Sequence, residues 1–249
     1  MKRLWTCLAL ACFPAAALAS GFDLTWNDCV GTGHESAMRD FVCTGSADET
    51  YNLFGQFKVE QDLPSFYAIT AVIRLRSLVA GPLAPFWHYE MGGCQRPGGA
   101  GPRGIAIFDA IPQSCADAGV ADPWNGDGSG GFEVIASYVP DSPAPGLAVL
   151  VAQVGRTYDA FPVSAGVNYY AFHLAFNNRN RTTCAGCAQR GGMYLSVAYL
   201  ESNDGTPPVV LGSPDKYGDC VGFNHTGPWE ICPTPVRNRT WGALKALYR

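Results

Sequence analysis

The chain has 249 residues, with 10 Cys, 29 Gly and 18 Pro, a composition that suits many turns. Its 47% hydrophobic residues argue against disorder, and its length allows one large β domain. A formal net charge of −4 argues against nucleic acid as a partner, because that target calls for basic patches.

The N-terminus reads as an export signal. Lys2 and Arg3 precede an apolar run from Leu4 to Ala17, broken by Thr6 and Pro14, and Ala17-Leu18-Ala19 is an A-x-A cleavage site. We expect a signal peptide over 1–19 with Ser20 as the first mature residue. As a membrane anchor the run is too short. Cys12, preceded by Ala9-Leu10-Ala11, matches a lipoprotein site poorly. No later segment reads as a membrane span: the run Phe66 to Ile73 stops at Arg74. Residues 20–249 retain eight Cys and a formal charge of −6. Such a chain is expected to be secreted, periplasmic or on the cell surface.

In an oxidising compartment those eight residues, Cys29, Cys43, Cys94, Cys115, Cys184, Cys187, Cys220 and Cys232, read as disulfides. Sequence neighbours give the simplest pairing: 29–43, 94–115, 184–187 and 220–232. Each would pin a short loop, and a loop of about 15 residues is worth roughly 3 kcal/mol in the chain-entropy model.

The body reads as strands in chain order. Tyr51 to Val59 is the first. Phe66 to Leu78 is the clearest: Ile69, Ala71, Ile73 and Leu75 share one face, while Thr70, Arg74 and Arg76 share the other, with Val72 the exception. Gly104 to Ala110, Phe132 to Val139, Leu147 to Arg156, Asn168 to Asn177 and Met193 to Glu201 follow, with Pro207 to Leu211 as a weaker strand. Turn-rich segments such as Asp141-Ser-Pro-Ala-Pro separate them. The expected class is all-β, an antiparallel sandwich of jelly-roll type with disulfide-pinned loops. Crossover helices for a parallel sheet are missing. We expect a β-sandwich domain over 20–212, a Cys-bounded loop over 213–233 and a basic tail over 234–249. In the tail Trp241, Leu244, Leu247 and Tyr248 fall at helical spacing among Arg237, Arg239, Lys245 and Arg249. It reads either as a short docked helix or as a recognition tag.

Candidate chemistry is sparse. His34-Glu35 opens like H-E-x-x-H but lacks the second His, so a solvated loop is expected. His88-Tyr89-Glu90 on a strand would put His88 and Glu90 on one side, within reach of a metal or substrate. Asp122, Asn125 and Asp127 supply oxygen ligands in a calcium-like loop, although the twelfth position from Asn125 is Ala136 rather than Glu. Turn chemistry explains the same residues. Cys184-Ala-Gly-Cys187 is open to three readings: a structural disulfide, a redox dithiol or part of a zinc site with Cys220, His225 or Cys232. His173 reads as a satisfied sheet residue and His225 as solvated. Asn180, Asn224 and Asn238 begin glycosylation triplets that matter only in a glycosylating cell. Trp87, Tyr89 and Trp124 near loops either stack on a ligand or cap the core.

Leu24-Thr25-Trp26-Asn27-Asp28-Cys29 with Asp40-Phe41-Val42-Cys43 resembles the opening of a group of uncharacterised exported proteins from uncultured environmental bacteria. Tyr169 to Leu174, Asn177-Asn178 and the Cys184/Cys187 pair look like that group's second signature. The group often carries a third Cys where this chain has Met193 and Tyr194. Thr240-Trp241-Gly242, Lys245 and Leu247-Tyr248-Arg249 are similar to a C-terminal ending on exported proteins of such bacteria. The resemblance implies export and a β-rich fold, and no activity. The functional expectation is a disulfide-stabilised, non-catalytic binding or cell-envelope protein, with an extracellular glycan or protein as partner. The alternatives are a secreted hydrolase built around His88 and Glu90, or a periplasmic thiol or metal protein using Cys184 and Cys187.

Overall fold

The computed structural model describes residues 21–44, 49–96, 105–124, 132–157, 159–179, 182–212 and 220–225. The expected signal peptide, the tail over 234–249, Cys232, Asn125, Asp127, Asn180 and Asn238 lie outside the described residues.

The chain is all-β, as its alternating runs imply. Its strands are β1 (Gly21–Trp26), β2 (Met38–Arg39), β3 (Thr50–Lys58), β4 (Leu63–Ser77), β5 (Ile105–Phe108), β6 (Phe132–Pro140), β7 (Leu147–Gly155), β8 (Phe161–Val163), β9 (Tyr169–Asn177), β10 (Gly191–Ser202), β11 (Val209–Leu211) and β12 (Cys220–Phe223). The strand β12 lies within the segment expected to be a Cys-bounded loop, which is a correction. Its four residues are all buried, so this part of the segment returns into the core.

Period-two alternation becomes burial where it was clearest. On β4, Ile69, Ala71, Ile73 and Leu75 are buried, Thr70, Val72 and Arg74 are half-buried, and Arg76 is exposed. On β7, Ala148, Leu150, Ala152 and Val154 turn inward in the same way. Two sheets result. One runs β1-β3-β9-β5. The other runs β2-β12-β10-β4-β7-β6, with β11 added to β10 and β8 to β4. Pairing is antiparallel except between β2 and β12. A single short helix, α1 (Gln113–Asp117), appears among the described residues, together with a 3-10 turn at Pro85–Trp87.

Both sheets feed one core. Phe57 of β3 meets Phe66 of β4 with ring centroids 5.5 Å apart. Trp26 of β1 donates its indole N–H to the Gly222 carbonyl of β12 at 2.9 Å. Phe41 sits at the centre of an aromatic group, with Trp26 at 5.9 Å, Tyr51 at 4.2 Å, Trp87 at 5.2 Å and Phe223 at 5.8 Å. Such edge and tilted contacts add to the area the rings bury.

Three of the expected neighbour pairings of cysteines, 29–43, 94–115 and 184–187, are wrong. Among the described residues the bonds are Cys29–Cys115, Cys43–Cys187 and Cys94–Cys184, spanning 86, 144 and 90 residues of sequence. Cys220 is also disulfide-bonded. The reason is sheet order. Antiparallel pairing sets Thr50 opposite Asn177, and the Asn178 N–H donates to the Glu49 carbonyl at 2.8 Å. The segment before β3, which holds Cys43, therefore meets the segment after β9, which holds Cys187. Proximity in sequence carries no information about that encounter.

His173 gives the fold a pH response. It lies on β9 between Phe54, at 5.2 Å, and Phe108, at 4.8 Å, and its Nδ1 is 2.8 Å from the Tyr170 hydroxyl. Burial disfavours the imidazolium and lowers its pKa to about 4. The unfolded chain therefore binds a proton here first, near pH 6.5. Stability is present above pH 6.5 and falls as the pH drops toward 4. The loss is about 2 kcal/mol after allowance for solvent screening. Chemical denaturation of the parent and of His173→Phe at pH 7 and pH 4.5 should show a steeper acid loss in the parent. Equal slopes would remove His173 from the account.

Candidate functional site

The Cys184-Ala-Gly-Cys187 segment is neither a dithiol nor a 184–187 disulfide. Its two sulfurs bond to different partners, Cys184 to Cys94 and Cys187 to Cys43. Between them Gly186 has φ +95°, and a Cβ there would lie 2.1 Å from that of Ala84, so only glycine fits. This close approach lets the turn dock on the 3-10 turn. Phe86 N–H donates to the Ala185 carbonyl at 2.9 Å, and the Trp87 indole donates to the Gly186 carbonyl at 3.2 Å. Asn224 closes the assembly. Its amide donates to the Cys187 and Gln189 carbonyls at 2.9 and 3.1 Å, and its Oδ1 accepts from Phe41 N–H at 2.7 Å.

This knot presents residues 88–96. Gln95 N–H donates to the His88 carbonyl at 3.0 Å, and Gly93 N–H to the Glu90 carbonyl at 2.9 Å. A Cβ on Gly93 would stand 2.5 Å from the His88 oxygen, so the turn needs glycine there. Cys94 anchors the segment to Cys184. His88 and Glu90 therefore lie in a pinned loop, and not on the strand expected.

Beside this loop opens a cleft of about 550 Å³. Its two long walls are β5, the last strand of the four-stranded sheet, and β6, the last strand of the eight-stranded one. Its end is made by Tyr89, Glu90 and Arg96. Ile107 and Val134 supply apolar surface, and Tyr138 joins wall to end by donating its hydroxyl to the Trp87 carbonyl at 2.7 Å. The cleft residues Tyr89, Glu90 and Arg96 each carry a buried polar atom without a hydrogen-bond partner among the described residues: the phenol oxygen, Oε2 and Nε respectively. Gln95, fully buried behind them, has neither amide atom bonded. Native proteins leave few such groups, and a concentration within eight residues marks a place shaped for something other than stability. Burial pushes the Tyr89 and Tyr138 phenols well above the usual tyrosine range, so both stay protonated.

His88 and Glu90 do form a pair. Nδ1 is 2.8 Å from Glu90 Oε1, and Nε2 is 3.2 Å from the Leu83 carbonyl. A carbonyl only accepts. Both ring nitrogens are engaged by these contacts, which leaves neither free to take a proton from a nucleophile. The geometry is that of an orienting salt bridge.

The aromatic candidates face inward. Trp87 is fully buried and stacks on Phe223 at 4.3 Å; Tyr89 is 5% exposed, edge-on to Tyr138 at 5.5 Å. Trp124 is buried against Phe66 at 5.4 Å, with its indole donating to the Ala171 carbonyl at 2.9 Å. They cap the core, and an exposed stacking platform is not what they build. Of the calcium candidates only Asp122 is described, and its Oδ1 accepts from Trp124 N–H at 2.9 Å, which is turn chemistry. A carboxylate of Asp28 lies close to Cys29 and Cys115, but those sulfurs are bonded to each other and supply no thiolate. His34 is exposed as expected, while Glu35 accepts from Gly31 and Gly33 N–H and ties the loop together. His225 is buried, against expectation, because β12 carries it inside. Sequence reading missed Arg96, Asp109, Glu133 and Tyr138. They lie on three segments that only the two sheet edges bring together, and no local spacing announces them. Comparison with protein-family models, with curated proteins and with solved structures finds no match.

Proposed function

We propose that this is an exported, non-catalytic binding protein that takes its ligand in the cleft between β5 and β6. The observation that carries the reading is the set of buried, unpartnered polar atoms on Tyr89, Glu90 and Arg96 around that cleft. A mainly apolar hollow with a few convergent polar groups is the usual form of a ligand site. The disulfides support an oxidising destination, together with the signal-like N-terminus and the resemblance to exported bacterial proteins. No helix among the described residues is long and apolar enough to cross a membrane. The double engagement of His88 favours binding over hydrolysis.

The test is a glycan array and an immobilised peptide library probed with the oxidised chain, beside a Glu90→Gln/Arg96→Ala variant. Trp87→Ala is unsuitable, since that side chain holds the core. Capture by the parent should fall at least tenfold in the variant while its melting temperature holds. A parent that captures nothing, or that turns over a panel of hydrolase substrates, overturns the reading. Protein recovered outside the cytoplasm should begin at Ser20.

A further inference from the structure

Two open strand edges meet in the cleft. Among the described residues, each of β5 and β6 ends its sheet and has a partner on one side alone, β9 for the first and β7 for the second. A sheet edge presents unpaired backbone N–H and C=O groups, and proteins usually guard it with lysine, with a bulge, or with covering chain. Here the guard is partial: β6 shifts register between Ile135 and Ser137 and ends in Pro140, while charge is nearly absent. The sequence of β5, Ile105–Phe108, has no charged residue, and Glu133 is the one charged side chain in Phe132–Pro140. Along β6, Phe132, Val134 and Val139 are 43%, 41% and 45% exposed, while Phe108 on β5 is 39% exposed. On either side of that register shift, short, nearly uncharged runs of the β6 edge can template another strand.

The charge around the edges is one-sided. Asp109, directly after β5, donates its N–H to Glu133 Oε2 at 2.9 Å, which brings the two carboxyls together. Glu90 lies at the end of the same cleft, and Arg96 is the one basic residue among those lining it. Burial and the neighbouring Asp109 hold the Glu133 carboxyl above its ordinary range, which a cation placed beside the pair would relieve.

Resting on the binding role above, we propose that the ligand is an extended peptide segment of a partner protein, added as a strand to the edge of β6 and carrying a Lys or Arg side chain to the Asp109–Glu133 pair. Main-chain hydrogen bonds supply affinity in this mode, while pockets for alternate side chains supply selectivity. Apolar side chains of the segment lie against Val134 and Ile107. A sugar ligand is less well served, since Trp26, Trp87 and Trp124, the tryptophans among the described residues, are all buried and leave no indole face to stack on.

The probe is a fluorescent nonapeptide alternating valine with lysine and threonine, read by anisotropy against the oxidised chain. Binding should weaken at least tenfold with Glu133→Lys, at least tenfold when lysine is replaced by glutamate in the peptide, and at least tenfold when alternate peptide nitrogens are methylated to block the ladder. Circular dichroism and the melting temperature check that the exposed Glu133 variant stays folded. Undiminished binding of the methylated peptide, or no binding of the parent peptide, overturns strand addition. If the peptides fail and the glycan array yields a ligand sensitive to Glu90→Gln/Arg96→Ala, the peptide assignment falls and the binding role stands. If neither yields a ligand, both fall.

Discussion

Replacing Cys43 and Cys187 together by alanine should lower the unfolding free energy by about 4–5 kcal/mol, as read by denaturant unfolding of the oxidised proteins. The bond closes 144 residues of chain, and in the chain-entropy model a loop of that size is worth about 5 kcal/mol. Measured losses for native disulfides run at roughly 2–5 kcal/mol, which sets the ceiling. The bond also holds the knot in which Asn178 donates to the Val42 carbonyl and Asn224 to that of Cys187. The equivalent loss for Cys29–Cys115 or Cys94–Cys184 should be smaller by only a few tenths of a kcal/mol, because the entropy grows with the logarithm of loop length. A non-reduced digest must yield the peptide pairs containing Cys43 and Cys187, and Cys94 and Cys184. A fragment joining Cys184 to Cys187 would refute the arrangement. A loss below about 1 kcal/mol would show that the unfolded chain is constrained by other means.

Trp26→Ala should cost about 3–5 kcal/mol, the range for a large aromatic side chain removed from a core. Its indole is fully buried, packs against Phe41 at 5.9 Å and Phe176 at 5.8 Å, and bridges the sheets through Gly222. Truncation also leaves the Gly222 carbonyl without that donor, adding about 1 kcal/mol. Trp26→Phe separates the two contributions. It keeps most of the packing, loses the N–H, and should cost about 1–2 kcal/mol by the same unfolding measurement. Equal costs for both variants would mean that the hydrogen bond, and not the ring, joins the sheets.

The strands were legible because a half-buried strand writes its own pattern. Side chains alternate between faces whatever the rest of the chain does, so β4 with its Ile69, Ala71, Ile73 and Leu75 could be read residue by residue. β1 obeys the same rule, with Phe22, Leu24 and Trp26 buried, yet its six residues beside a signal-like segment are too few to stand out in the sequence. β2, β8 and β12 are too short, at two to four residues, to show a period. The 88–96 loop was visible only as His88, Tyr89 and Glu90; its Gly93 and Cys94 define the turn through contacts with His88 and Cys184 that lie outside any window of sequence.

The sequence by itself determined the all-β class, most strand positions, the inward face of β4 and the use of cysteine as a staple. These follow from local rules of alternation, turn chemistry and composition. Tertiary structure alone decided which cysteines meet, that Trp87, Tyr89 and Trp124 belong to the core, and that β5 and β6 end their sheets beside one cleft. The physical reason is the same in each case. Strand order is chosen by burial of the whole chain at once, so residues 86 to 144 positions apart become neighbours through a balance that no single segment carries.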